Sequence, residues 1–191
     1  MKLKLLFFIL LLSQSIFGQV STNSGIFFAK EFSKDIALYK AKSFVINDVI
    51  GLSDSSIRFE IDPLAASMSG ELTSLVYLCS EKNMEGLILG FYGDRWNENG
   101  VIYQSYAFRN FPKSKAIELL NKVEKLINEN SDYLSQDQDN NNVYTKYEDC
   151  LFLIYKNQGD TKIRVFWNNF DSDWEYTAFK RTKKRLLKKL E

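Results

Sequence analysis

Leu72-Thr-Ser-Leu-Val-Tyr-Leu-Cys79, Gly86-Leu-Ile-Leu-Gly-Phe-Tyr92 and Val101-Ile-Tyr-Gln-Ser-Tyr-Ala-Phe108 decide the fold. All three are rich in β-branched and aromatic residues and are separated by turn residues, so they read as strands. The first break, Glu81 to Gly86, is short and polar. The second ends in Asn99-Gly100, a dipeptide suited to the positive φ of a hairpin loop. An antiparallel meander is expected.

After Asn110-Phe111 the period changes from 2 to 3.6. Pro112 suits the first helical turn, and Ala116, Leu119, Leu120, Val123 and Ile127 form one apolar stripe. Such a helix must lay its stripe on a sheet or on another helix, and the meander is the nearest surface.

Toward the N-terminus, Ser33 is placed to cap a helix from Lys34 to Ile50, with Gly51 in the left-handed position after it. Its apolar residues cover more than one face, so either it is well buried or Ser43 to Ile50 is a strand. Ile57 to Ile61 alternates as a short strand that Asp62-Pro63 should stop. Toward the C-terminus, Asn128 to Asn142 is dense in Asn, Asp, Gln and Ser and reads as a polar loop. Strand character resumes at Val143–Tyr147, Cys150–Tyr155 and Lys162–Trp167, and a helix is expected from Asp171 to Leu190.

These elements predict an α+β fold: one antiparallel sheet of about six or seven strands carrying two or three helices. Asn110-Phe111 and Asn169-Phe170 each precede a predicted helix. The echo fits a duplicated strand-strand-helix unit, or coincidence between few matched residues.

Met1-Lys-Leu-Lys4, the eight-residue apolar run Leu5 to Leu12 and the polar exit Ser13 to Gly18 read as a signal peptide over 1–18. The remainder, 19–191, is expected to be a single domain with a polar loop at 128–142. The apolar run is too short to span a bilayer, and no later run approaches the necessary length. Localisation is therefore expected to be periplasmic or secreted. Loss of Lys2 and Lys4 leaves 23 basic against 24 acidic residues, a balance that argues against a nucleic-acid binder. Cys79 and Cys150 are expected to pair as a disulfide in an oxidising compartment.

The chain has no histidine. Ser-His and Cys-His nucleophile pairs and histidine-ligated zinc are excluded, and no phosphate-binding glycine loop or G-x-S-x-G is present. An enzyme built on this chain would rely on carboxylates, Tyr, Lys or a hard metal ion. Asp171, Asp173 and Glu175 with Trp167 and Trp174 offer a carboxylate pair and sugar-stacking rings, although acids at a helix start also complement the dipole.

Arg95 and Trp96 are surface-recognition candidates in a hairpin loop. Lys184, Arg185 and Lys188 belong to a basic final helix suited to anionic lipid or an acidic polymer, or to a solvated face. Asp137, Asp139, Asn141 and Glu148 match positions of a calcium-loop template, with Asn142 where Gly is required and a strand following in place of a helix. No cofactor is expected, calcium at that loop being the alternative. The function expected is that of an exported, non-enzymatic binding or envelope-associated protein of unknown ligand, with an unknown envelope or protein partner and no transmembrane segment, peripheral membrane contact through the basic helix being one option. The alternative is a carboxylate-based hydrolase of envelope polysaccharide.

Overall fold

A computed structural model describes residues 38–96, 102–138 and 140–190. The predicted signal peptide, the cap at Ser33 and the Asn99-Gly100 turn lie outside them. The fold is α+β, but among the described residues eight strands form two four-stranded antiparallel sheets and not one sheet of six or seven. Strand β1 (Glu60–Ala66), β2 (Leu72–Cys79), β3 (Met84–Trp96) and β4 (Ile102–Pro112) make the first sheet in chain order. Strand β5 (Asn142–Tyr147), β6 (Cys150–Asn157), β7 (Asp160–Trp167) and β8 (Phe170–Asp173) make the second.

Each meander is followed by a helix. The helical segment α1 is described from residue 38 and widens to a π-helix over Val45–Ile50, so its second half is no strand. Gly51 follows with φ 84° and ψ 157°, a positive φ that favours glycine. Helix α2 (Lys113–Glu129) follows the first sheet and is continued by the short α3 (Ser131–Gln136); α4 (Tyr176–Leu190) follows the second.

The five residues of the α2 stripe are its five buried residues. Its four larger ones each contribute on the order of 1.5–3 kcal/mol relative to exposure. Helix α2 packs on β3, β4 and β5, while α4 packs on β1, β2 and β7, so each helix touches both sheets. Between them lies one apolar core, containing Leu72, Val76, Leu89, Phe91 and Phe111 from the first sheet and Phe152, Ile154, Ile163 and Val165 from the second.

Three predicted boundaries change. Pro63 does not stop β1, because β1 is an edge strand and a missing N–H is tolerated there; the pairing slips between Pro63 and Ala65. Part of the expected loop at 128–142 is helical. The Asn130 N–H and side-chain amide both donate to the Leu126 carbonyl, the Asn130 carbonyl accepts from Leu134, and Leu134 is buried. Asp171 does not cap a helix, since Phe170–Asp173 is a strand on β7 and α4 begins only at Tyr176. Asn168 and Asn169, at φ 48° and 61°, form the intervening turn.

Strand parity corrects the disulfide. Cys79 and Cys150 are both free and buried. In β2, Leu72, Ser74 and Val76 face the shared core with α4, so Cys79 shares the opposite face with Leu75 and Tyr77. Cys150 belongs to the shared core, and the first sheet stands between the two thiols.

Candidate interaction surface

The basic character of α4 divides into cations used inside the fold and cations left on its surface. Lys183 donates to Glu124 of α2, Arg185 to the Leu64 carbonyl and Lys189 to Asp62 of β1. Lys180 lies over the Tyr176 ring at 4.6 Å. Arg181, Lys184 and Lys188 are exposed, and among the described residues none of them is in an ion pair. Their spacing of three and four puts them on one stripe of the helix. Of the three helix residues expected to bind, Lys184 and Lys188 are available, and Arg185 is committed to the first sheet. Arg181 completes the ridge.

The apolar stripe of the same helix cannot also meet a membrane. Ala178, Phe179, Thr182, Leu186 and Leu190 are its buried residues. Thr182 donates to the Ala178 carbonyl and shares a 2.6 Å hydroxyl hydrogen bond with buried Ser74. The ridge is thus an electrostatic surface only.

The acids proposed for hydrolysis have other partners. Arg164 bonds both Asp171 and, at 3.0 Å, Asp173, neutralising part of that pair on the outer face of the second sheet. Glu175 Oε1 accepts from the Met68 N–H at 2.9 Å, and its Oε2 is buried with no hydrogen-bond partner.

Arg95 and Trp96 close β3 opposite Tyr103 and Ile102, a strand position and not the expected loop; their side chains lie outside the described residues. The calcium-template residues are divided between different structures. Asp137 bonds the Asn140 N–H and side-chain amide, Asn141 donates to the Tyr133 carbonyl, and Asp139 lies outside the described residues. Glu148 sits in the β5–β6 turn and accepts from Arg109. Among the described residues no three His, Cys, Asp or Glu side chains are grouped to hold a metal ion.

Arg109, which the sequence does not single out, joins the two halves. It donates to Asp149 at 2.8 Å, to Glu148 at 2.7 Å and to the Asn110 carbonyl at 3.0 Å, and its guanidinium lies 5.0 Å from the Phe111 ring. Burial alone raises the Asp149 carboxyl, but hydrogen bonds from Trp167 and Arg109 outweigh it and hold the carboxyl below its usual range. Beside this joint the Tyr147 hydroxyl donates to the Lys115 carbonyl at 3.1 Å; burial first, then Glu118, pushes that phenol up to about 12. The signal for the joint was an arginine between Phe108 and Phe111 in a strand.

A cleft of about 580 Å³ opens where β3 and α2 begin, lined by Tyr77, Met84, Glu85, Asn110, Lys113 and Ile117 among others. Glu85 and Lys113 pair at 2.7 Å, and burial pushes the Tyr77 phenol up. Asn110 Oδ1 is buried there without a hydrogen-bond partner among the described residues, while Asn83 and Ser114 of the lining are exposed. Among the described residues no helix is long and apolar enough to cross a membrane. Comparison with protein-family models, with curated proteins and with solved structures finds no match in any of the three.

Proposed function

We propose that the protein is exported and acts without catalysis, by holding an anionic surface of the cell envelope through the Arg181–Lys184–Lys188 ridge of α4. One observation carries the reading: the cations of α4 that face the fold are used by Glu124, Asp62 and the Leu64 carbonyl, and a single outward stripe stays unpaired. A structural role explains the first set and leaves the second unexplained. Because the apolar face is buried, binding is electrostatic, weak and salt-sensitive. The leader-like residues 1–18 support export to the periplasm or beyond. The succession of four strands and a helix, met twice, supports an internal duplication larger than a strand-strand-helix unit.

Co-sedimentation with vesicles of anionic phospholipid, set against neutral vesicles, tests the ridge. The natural chain should bind the anionic vesicles at low salt, and the Arg181→Glu, Lys184→Glu, Lys188→Glu variant should not. Equal binding by both proteins overturns the reading. Export is tested by intact mass of protein recovered from its host: a chain beginning near Gln19 outside the cytoplasm is expected, and a cytoplasmic chain that retains Met1 removes the envelope from the proposal.

A further inference from the structure

The second sheet turns an unusual face away from the core. Register places Tyr144, Leu153, Arg164 and Asp173 in one row across it, Lys146, Leu151, Phe166 and Asp171 in the next, and Asn142, Tyr155 and Lys162 in a third. The apolar residues of these rows are all absent from the central core. Tyr144 is 71% exposed, and Leu151, Leu153, Tyr155 and Phe166 are only partly buried. A solvated sheet face normally alternates to polar residues, yet the outer side of β6 is Leu151, Leu153 and Tyr155 before it ends in Asn157. Such a patch marks a contact surface.

Charge on this face is arranged in margins. Lys146 on the β5 edge is exposed and in no ion pair among the described residues. On the opposite edge, Asp171 and Asp173 share the single cation Arg164, which leaves an acidic excess. Lys162 approaches Asp160 at 3.9 Å and is taken up locally. The face therefore runs from a basic margin through an apolar centre to an acidic margin.

We infer that this face is the interface of a twofold-symmetric dimer, the second sheet of one copy packed face to face on that of another. A twofold axis in the interface and parallel to the strands lays β5 of each copy over β8 of its partner. Lys146 then meets the Asp171–Asp173 margin, and the contact is made twice. The same axis lays β6 over β7, so Leu151 meets Phe166 across the interface and Leu153 and Tyr155 cover the alkyl stems of Arg164 and Lys162, at the spacing of about 10 Å usual for stacked sheets. A foreign amphipathic helix could cover the centre, but it has no need of opposite charges on opposite margins; a second copy does. Four short strands offer less than the roughly 800 Å² per partner of a standard interface, so the association is concentration-dependent. It does not depend on the ridge of α4.

Sedimentation equilibrium of the natural chain, from low to high micromolar concentration at low salt, tests the inference. Reversible dimers are expected, weakened at least tenfold by Leu153→Lys and severalfold by Lys146→Glu. The exchanged pair Lys146→Glu with Asp171→Lys should recover most of the loss, a result that a merely structural role for either residue does not produce. Tyr144→Asp, at an exposed aromatic position of the face, serves if Leu153→Lys does not fold. A monomer at every concentration overturns the dimer. Association that survives Leu153→Lys or Tyr144→Asp in a folded protein, or Lys146→Glu that the exchange fails to rescue, overturns this interface.

Discussion

Among the described residues, elements pack on both faces of the first sheet and on one face of the second. On the far side of the first, Leu75, Tyr77 and Ile88 are buried yet lie outside the shared core, and α1 packs on the same face, its Ala41 and Val45 buried and its Phe44 ring 5.5 Å from Phe108. Gly90 belongs to this layer: a Cβ there would meet Thr73 Oγ1 at 2.7 Å and the Phe108 ring at 3.1 Å. The corresponding side of the second sheet has the same apolar central strand and no described helix over it. The molecule itself thus shows that an apolar outer face is given a cover, and the half without one is the half to search for a partner.

The comparison can be broken by one matched pair of substitutions. Ile88→Ala, in a fully buried layer, should cost about 2–5 kcal/mol in denaturant unfolding. Leu153→Ala, on the outer face of a central strand in the other half, should cost less than about 1 kcal/mol. Similar losses would mean that the second face is covered after all.

The joint between the halves comes next. Arg109→Ala should cost about 1–3 kcal/mol, because it strips charged hydrogen bonds from Asp149 and Glu148. The Asp149 carboxyl has a folded pKa below its unfolded value of about 3.9, so its contribution is complete above that pH and lost as pH falls through the folded value. Acid titration of stability should therefore be flatter in Arg109→Ala than in the natural chain. Identical pH profiles would show that the joint contributes nothing.

A smaller effect concerns the thiols on the two sides of the first sheet. Burial pushes the Cys150 thiol up to about 12, so it is both inaccessible and protonated. Alkylation without reductant should label neither cysteine in the native protein and both after denaturation; no labelling in denaturant would restore the disulfide. The smallest effect is expected on α4. Replacing Arg181, Lys184 and Lys188 together by Glu should leave the unfolding midpoint unchanged, since their partners are solvent; a large loss would place the ridge inside the structural network.

Most strands were legible because alternation and turn residues are local properties. Leu72–Cys79 is β2 at the same bounds, and the α2 stripe is buried residue for residue. The division into two sheets was not legible, since nothing in β4 or β5 says that they do not pair. Asp171 read as a helix cap because its strand partner, Arg164 on β7, pairs with it only once the hairpin has formed. The cations of α4 were visible as charges. Which of them are free was not, because Glu124, the Leu64 carbonyl and Asp62 lie 59, 121 and 127 residues away in the chain.

The bond between Ser74 and Thr182 spans 108 residues and is buried. Each meander is made of neighbours in sequence, but the inner face of β1 and β2 receives α4, which follows all eight described strands in the chain. Until α4 arrives, Leu72 and Val76 have no helix to close over them, and the first sheet stays open on that side. The order of synthesis therefore delays native closure of the first sheet until the whole second sheet has been made.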